Sequence, residues 1–188
     1  MSVELFMKEL VNAMSYDDVH ALLKASPRLA REFDHEVFEA FYKPIDAIPS
    51  QVLEPLATYA FAPVDQEELL WRGEMETGTF TLETPNRSYL LRGRVQYGDL
   101  DGTFHAVLDN TIVLSGSFSN NKPNGTFHME DIDTSMSLSK EVYVDGLKQG
   151  TSEYYYDITK DASQGVSYKM YEVDYVNDES VHERKYDA

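Results

Sequence analysis

The phrase "GTFTLE" begins at Gly78 and returns as "GTFHAVLD" at Gly102, "GTFHMED" at Gly125 and "GTSEYYYD" at Gly150, in steps of 24, 23 and 25 residues. A near-constant step of this size marks a supersecondary unit that stacks on copies of itself, because one copy alone cannot bury its apolar side. Within each copy the residues alternate, which assigns them to opposite sides of a strand. Phe80 and Leu82, Phe104, Ala106 and Leu108, Phe127 and Met129, and Tyr154 and Tyr156 take one side; Thr79 and Thr81, Thr103 and His105, Thr126 and His128, and Thr151 and Glu153 take the other. Nine residues before three of these glycines stand Gly93, Gly116 and Glu141, inside the further alternating runs "YLLRGRVQY", "TIVLSGSFS" and "LSKEVYVDG". Each copy is therefore expected to be two antiparallel strands, with "GDLDG", "NNKPNG" and "DGLKQG" supplying the left-handed residues of a tight hairpin. A fifth, glycine-poor copy, "VSYKMYEVDYVNDESVHERKYD", closes the array. The shared phase predicts that Phe104 and Phe127 lie on the same side of one sheet.

Before Leu69 the period is helical. Val3, Phe6, Met7, Leu10 and Met14 form the stripe of a first helix, with Glu4, Lys8, Glu9 and Asn12 turned to water. Ser15 and Asp18 make a capping box for a second helix that buries Val19, Leu22 and Leu23. Ser26 and Pro27 open a third helix, with Leu29, Ala30 and Phe33 facing inward. Asp34 is the expected cap of a fourth helix carrying Val37, Phe38, Phe41 and Tyr42, which "KPIDAIPS" stops. A looser helix from Ser50 to about Ala60 bridges to the strands. The predicted fold class is α+β: a small N-terminal helical unit, residues 1–65, followed by a single antiparallel meander of stacked β-hairpin repeats, residues 69–188.

Two resemblances attach to these segments. "VELFMKELVNAMSYDDVHALLKASPRLAREFDHEVFEAFY" resembles an F-box, most closely the divergent F-box-like segments of large DNA viruses; no Leu-Pro precedes its first helix, and Phe38 stands where that family usually has Trp. That resemblance implies docking on the adaptor of a cullin ubiquitin ligase. "SGSFSNNKPNGTFHMED" is similar to the MORN repeat in its degenerate form, without the Tyr that usually precedes the first glycine, and this likeness runs over residues 69–187. MORN-like sheets imply scaffolding and docking, and the pairing of the two segments is one that large DNA viruses use.

Charge and residue usage narrow the function classes. With 33 acidic and 16 basic residues the formal charge is −17, which disfavours nucleic acid and anionic membrane as partners and favours basic proteins. The chain has no cysteine, hence no disulfide, thiolate metal site or thiol nucleophile. The N-terminal residues lack the pattern of a signal peptide, so the expected location is cytoplasmic, or the virion if the source is viral.

No P-loop, dinucleotide fingerprint, G-x-S-x-G or zinc-protease helix occurs. His105 and His128 sit in adjacent copies, two strand spacings or about 9.5 Å apart, too far for one metal ion. Asp131 and Asp133 have calcium-ligand spacing without the glycine and distal glutamate of an EF-hand loop. The expectation is a non-enzymatic protein-interaction protein of adaptor type, with no catalytic residue, cofactor or metal, binding partner proteins through Phe6, Leu10, Leu22 and Tyr155. The other expectations are a structural component of a virion or similar assembly, and an acidic inhibitor or antitoxin covering a basic partner.

Overall fold

In the computed structural model, which describes residues 3–32, 38, 40–60, 69–156 and 168–186, the repeat forms one antiparallel meander. Its long strands are β2 (Leu70–Gly73), β3 (Gly78–Glu83), β4 (Tyr89–Gln96), β6 (Gly102–Leu108), β7 (Ile112–Ser119), β9 (Gly125–Asp131), β10 (Met136–Val144), β12 (Gly150–Tyr156), β13 (Tyr168–Val176) and β14 (Glu179–Lys185). They lie side by side in chain order. The turn stretches predicted from sequence are small hairpins in themselves. After β4, β7 and β10 the chain folds back for two residues, as β5 (Asp99–Leu100), β8 (Lys122–Pro123) and β11 (Leu147–Lys148), before the next long strand begins.

Both central residues of each hairpin are left-handed, Asn120–Asn121 (φ 50° and 64°) being one example, and this matches the twist of the flanking strands. Successive tips are stitched together. The amides of Asn121, Gly146 and Asp178 donate to the carbonyls of Leu100, Pro123 and Lys148, one copy back, at 2.9–3.1 Å.

The glycines at the centre of the strands have a different role. Phe80 lies opposite Gly93, and Phe104 opposite Gly116. A Cβ on Gly93 would come within 2.6 Å of the Phe80 ring; one on Gly116 would meet Phe104 at 2.7 Å and Phe127 at 2.9 Å. Each ring thus lies over a bare backbone. The Phe104 and Phe127 ring centroids are 5.3 Å apart on one side of the sheet, as the repeat phase predicts.

Helix α4 (Ser50–Tyr59) covers this aromatic face. Val52 and Leu56, one turn apart, lie on one helical side, and with Ile48 just before the helix and Ala60 at its end they join Trp71, Phe80, Leu91, Phe104, Phe118, Phe127 and Tyr143 in one core. The sequence suggests a loose bridge here; the helix is instead the lid of the sheet. Full burial of an aliphatic chain such as Val52 or Leu56 contributes about 1.5–3 kcal/mol.

The opposite, polar face receives the other helices at its first strands. Helices α1 (Val3–Ala13), α2 (Tyr16–Ala25) and α3 (Pro27–Glu32) gather Met7, Val11, Val19, Leu23, Phe38 and Tyr42 into a second core, against which Leu70 of β2 packs. Ser15 caps α2: its hydroxyl accepts from the Asp18 amide at 3.1 Å and donates to the Asp18 carboxylate at 2.7 Å. Ala30 is exposed, contrary to the sequence expectation, because the six-residue α3 turns only Leu29 toward this core. Phe33, Asp34 and Val37 lie outside the described residues, as does the Tyr156 side chain; of the other residues of the predicted fourth helix, Phe38 and Tyr42 are buried, and Phe41 lies in a turn, half-buried against the same core. Between the two sets of helices, β1 (Lys43–Pro44) pairs with β2, so the chain passes around that edge of the sheet. Among the described residues no helix is long and apolar enough to cross a membrane.

Candidate functional site

The residues singled out from sequence as partner-binding do not come together. Phe6 and Leu10 are half-buried on α1 and pack against the helical core, Leu22 is half-buried on α2, and Tyr155 lies far along the chain on β12. Tyr155 is also less open than the alternation implies. Its hydroxyl donates to Glu153 Oε2 at 3.0 Å, and burial followed by Glu153 pushes its pKa up.

His105 and His128 stand in one row across the sheet with Ser115 of the intervening strand between them. His105 is exposed, while His128 Nε2 lies 2.9 Å from Ser137 Oγ. Asp131 serves a turn: its Oδ1 accepts from the Thr134 amide at 2.9 Å and from the Thr134 hydroxyl at 2.8 Å, and these bonds hold its pKa down.

On the aromatic face the Gly93–Gly116 series ends in a carboxylate. Glu141 stands opposite Phe127, where the earlier copies place glycine opposite phenylalanine. It accepts from Tyr143 at 2.8 Å, Tyr154 at 2.6 Å and Lys148 at 2.6 Å. Burial pushes its pKa up, but these bonds outweigh that effect and leave it lowered. Lys148 Nζ sits 5.8 Å from the Tyr143 ring centre and 5.2 Å from that of Tyr175, within cation–π range. Tyr154 stacks on Tyr171 with centroids 4.5 Å apart. Where α4 ends, a recess of about 220 Å³ opens between Tyr59, Phe127, Met129, Glu141 and Tyr143.

The larger opening is on the polar face, a groove of about 960 Å³ between α1 and the sheet. Lys8 and Asn12 of α1 line one side, and strands β3, β4 and β6 line the other. Period-two geometry puts Arg92 and Arg94 on the same face of β4, about 7 Å apart along the strand. Arg92 lies between Thr81 and His105, and Arg94 beside Thr79. The Arg94 stem runs past Gly102, where a Cβ would stand 3.6 Å from Arg94 Cδ. Arg72 also lines the groove, but it is engaged, donating to Asn12 Oδ1 and lying 3.9 Å from the buried Glu83.

Some cations of the sheet are paired. Lys148, Lys169, Arg184, Lys185 and Arg87 each hold a carboxylate within 3.3 Å. Among the described residues, Lys8, Arg92 and Arg94 have no carboxylate at ion-pair distance, nor do Lys24, Arg31, Lys43, Lys122 and Lys140, but only the first three line this groove. Two like charges at the strand spacing repel by about 0.6 kcal/mol even in bulk water. In a chain with twice as many acids as bases, three cations lining one groove with no carboxylate at ion-pair distance among the described residues form an anion-attracting surface.

Sequence reasoning passed over this groove because its parts span residues 8 to 105 and the net charge points the other way. The signal was present in "LLRGRVQ", whose alternation puts both arginines on the side of Thr103 and His105. It also passed over Tyr97, 85% exposed at a hairpin tip with a left-handed φ of 54°. No protein-family model matches this chain, and no curated protein is significantly similar to it.

Proposed function

We propose that this protein works by contact, as a non-enzymatic adaptor-like interaction protein. Its helical unit holds one partner, through the half-buried Phe6, Leu10 and Leu22, and its sheet presents a second surface. The observation that supports this most directly is the clustering of three cations: Lys8, Arg92 and Arg94, with no carboxylate at ion-pair distance among the described residues, line one open groove, whereas Lys148, Lys169 and Arg184 each sit on a carboxylate. A surface of this kind recruits an acidic partner segment by charge complementarity and speeds its encounter. The F-box-like character of residues 3–42 fits a ligase adaptor as the partner of the helical unit.

Affinity purification from the native cell tests the proposal, with the wild-type chain compared to Phe6→Ser/Leu10→Ser and to Arg92→Gln/Arg94→Gln, each checked for folding by circular dichroism. An adaptor yields two sets of partners, each lost with one variant and retained with the other. Recovery of no protein above background, together with turnover of a substrate that His105→Ala/His128→Ala abolishes, refutes it.

A further inference from the structure

We infer that the polar-face groove takes a phosphorylated segment of a partner protein, a phosphothreonine or phosphoserine monoester held by Arg92, Arg94 and Lys8. The inference rests on the contact reading above and names the ligand of its sheet surface. Three features select this chemistry. A carboxylate carries one charge and two oxygens, which a single arginine fork satisfies, whereas a phosphate monoester carries close to two charges and three strong acceptor oxygens. The groove offers two neighbouring guanidinium groups and an ammonium, none with a carboxylate at ion-pair distance among the described residues, flanked in the same sheet rows by the Thr79 and Thr81 hydroxyls and by His105. Glu74 is the one acidic side chain among the described lining residues.

Size argues for a peptide as the carrier. An opening of about 960 Å³ is at the upper end of small-molecule sites and far exceeds a bare phosphate ion, leaving room for residues on either side of the modified one. Charge argues against a longer polyanion. The row through Arg92 and His105 continues over Ser115, His128 and Lys140 to Glu153 and Glu172, so a nucleic-acid strand laid along the face runs into carboxylates within a few strands. The overall charge of −17 likewise repels an anionic bilayer. A single dianion on a peptide meets only the cationic end.

The test is fluorescence anisotropy of the full chain with a labelled nine-residue peptide pool, degenerate except for a central phosphothreonine. A pool with central threonine, inorganic phosphate as competitor and a nine-nucleotide oligothymidylate probe complete the set. The phosphopeptide pool is expected to bind at least tenfold more tightly than the threonine pool. Arg92→Gln/Arg94→Gln is expected to weaken it at least tenfold with an unchanged melting temperature, since both side chains are exposed. Three results overturn the inference: oligothymidylate binding as tightly as the phosphopeptide, inorganic phosphate displacing the peptide at equimolar concentration, or unchanged affinity in the double variant. If partners are still recovered through the helical unit in that event, the phosphopeptide assignment falls and the contact reading stands.

Discussion

Gly116→Ala is the most direct test of how the repeat packs. Gly116 does not have a left-handed φ, so the substitution adds no backbone strain. What it adds is a methyl group 2.7 Å from Phe104 and 2.9 Å from Phe127, against an ordinary contact of 3.4–4 Å. Both rings must retreat by several tenths of an ångström, and both are held in place: Phe104 and Phe127 also lie 5.3 and 5.7 Å from the Phe118 ring, and Phe127 lies 5.1 Å from that of Tyr143. Overpacking a filled core costs about 1–3 kcal/mol, and two obstructed rings argue for the upper end. Restricting the unfolded chain returns about 0.4–1 kcal/mol. The net loss is about 2 kcal/mol, or a fall of about 4–8 °C in Tm for a chain of this size.

Urea and thermal unfolding followed by near-ultraviolet circular dichroism measure it. In the Phe104→Ala background the added cost of Gly116→Ala should fall by about half, because one of the two obstructing rings has gone. A loss below about 0.5 kcal/mol in the wild-type background shows that the rings do not depend on the bare backbone, and the explanation of the glycine at this strand position is then wrong.

Two further outcomes follow from buried and paired charges. Arg87 donates to Glu83 at 2.7 Å and to the Val11 carbonyl at 2.6 Å, and Glu83 is fully buried, so Arg87→Ala leaves a buried carboxylate short of its partner and should cost about 3–5 kcal/mol; chemical denaturation reading under 1 kcal/mol contradicts this. The Lys169 ammonium, with Tyr186, holds the Glu172 pKa down to about 2, and Lys169 also lowers that of Glu153. Because both folded-state values lie below the unfolded ones, this support for β12–β14 is complete above the ordinary glutamate range near pH 4.5 and disappears as pH falls toward 2. Amide exchange should show β13 and β14 losing protection in that window while β6 to β9 keep theirs, and equal protection at both ends of the window counts against the ion-pair account.

How much of this was legible in the chain depends on whether the cause is local. The recurring "GTF" reveals strands, phase and the buried ring because alternation with period two is written into consecutive residues. The Ser15 cap is equally local, its partners lying within one helical turn. The role of α4 was not legible: Ile48, Val52, Leu56 and Ala60 announce an apolar stripe, but nothing within residues 48–60 says which surface it meets. The groove fails for the same reason, since Lys8 and Arg94 become neighbours only when α1 settles on β2. The predicted partner residues were chosen for apolar character on isolated elements, and in the structure Phe6 and Leu10 spend much of their surface on their own core.

The passage of the chain around the β2 edge has a consequence for how such an array can change in length. With β1 paired to β2 and helices bearing on both faces of the first strands, that end cannot accept another hairpin. At the far end, β14 borders a single strand among the described residues, and every one of its residues is exposed, with Glu179, Glu183, Arg184 and Lys185 among them. Charges along an open strand discourage pairing with another molecule, yet they leave the backbone free to accept a duplicated segment in the same chain. A copy added or removed on the side of β14 would alter the reach of the sheet while leaving the groove and the helical unit in their geometry.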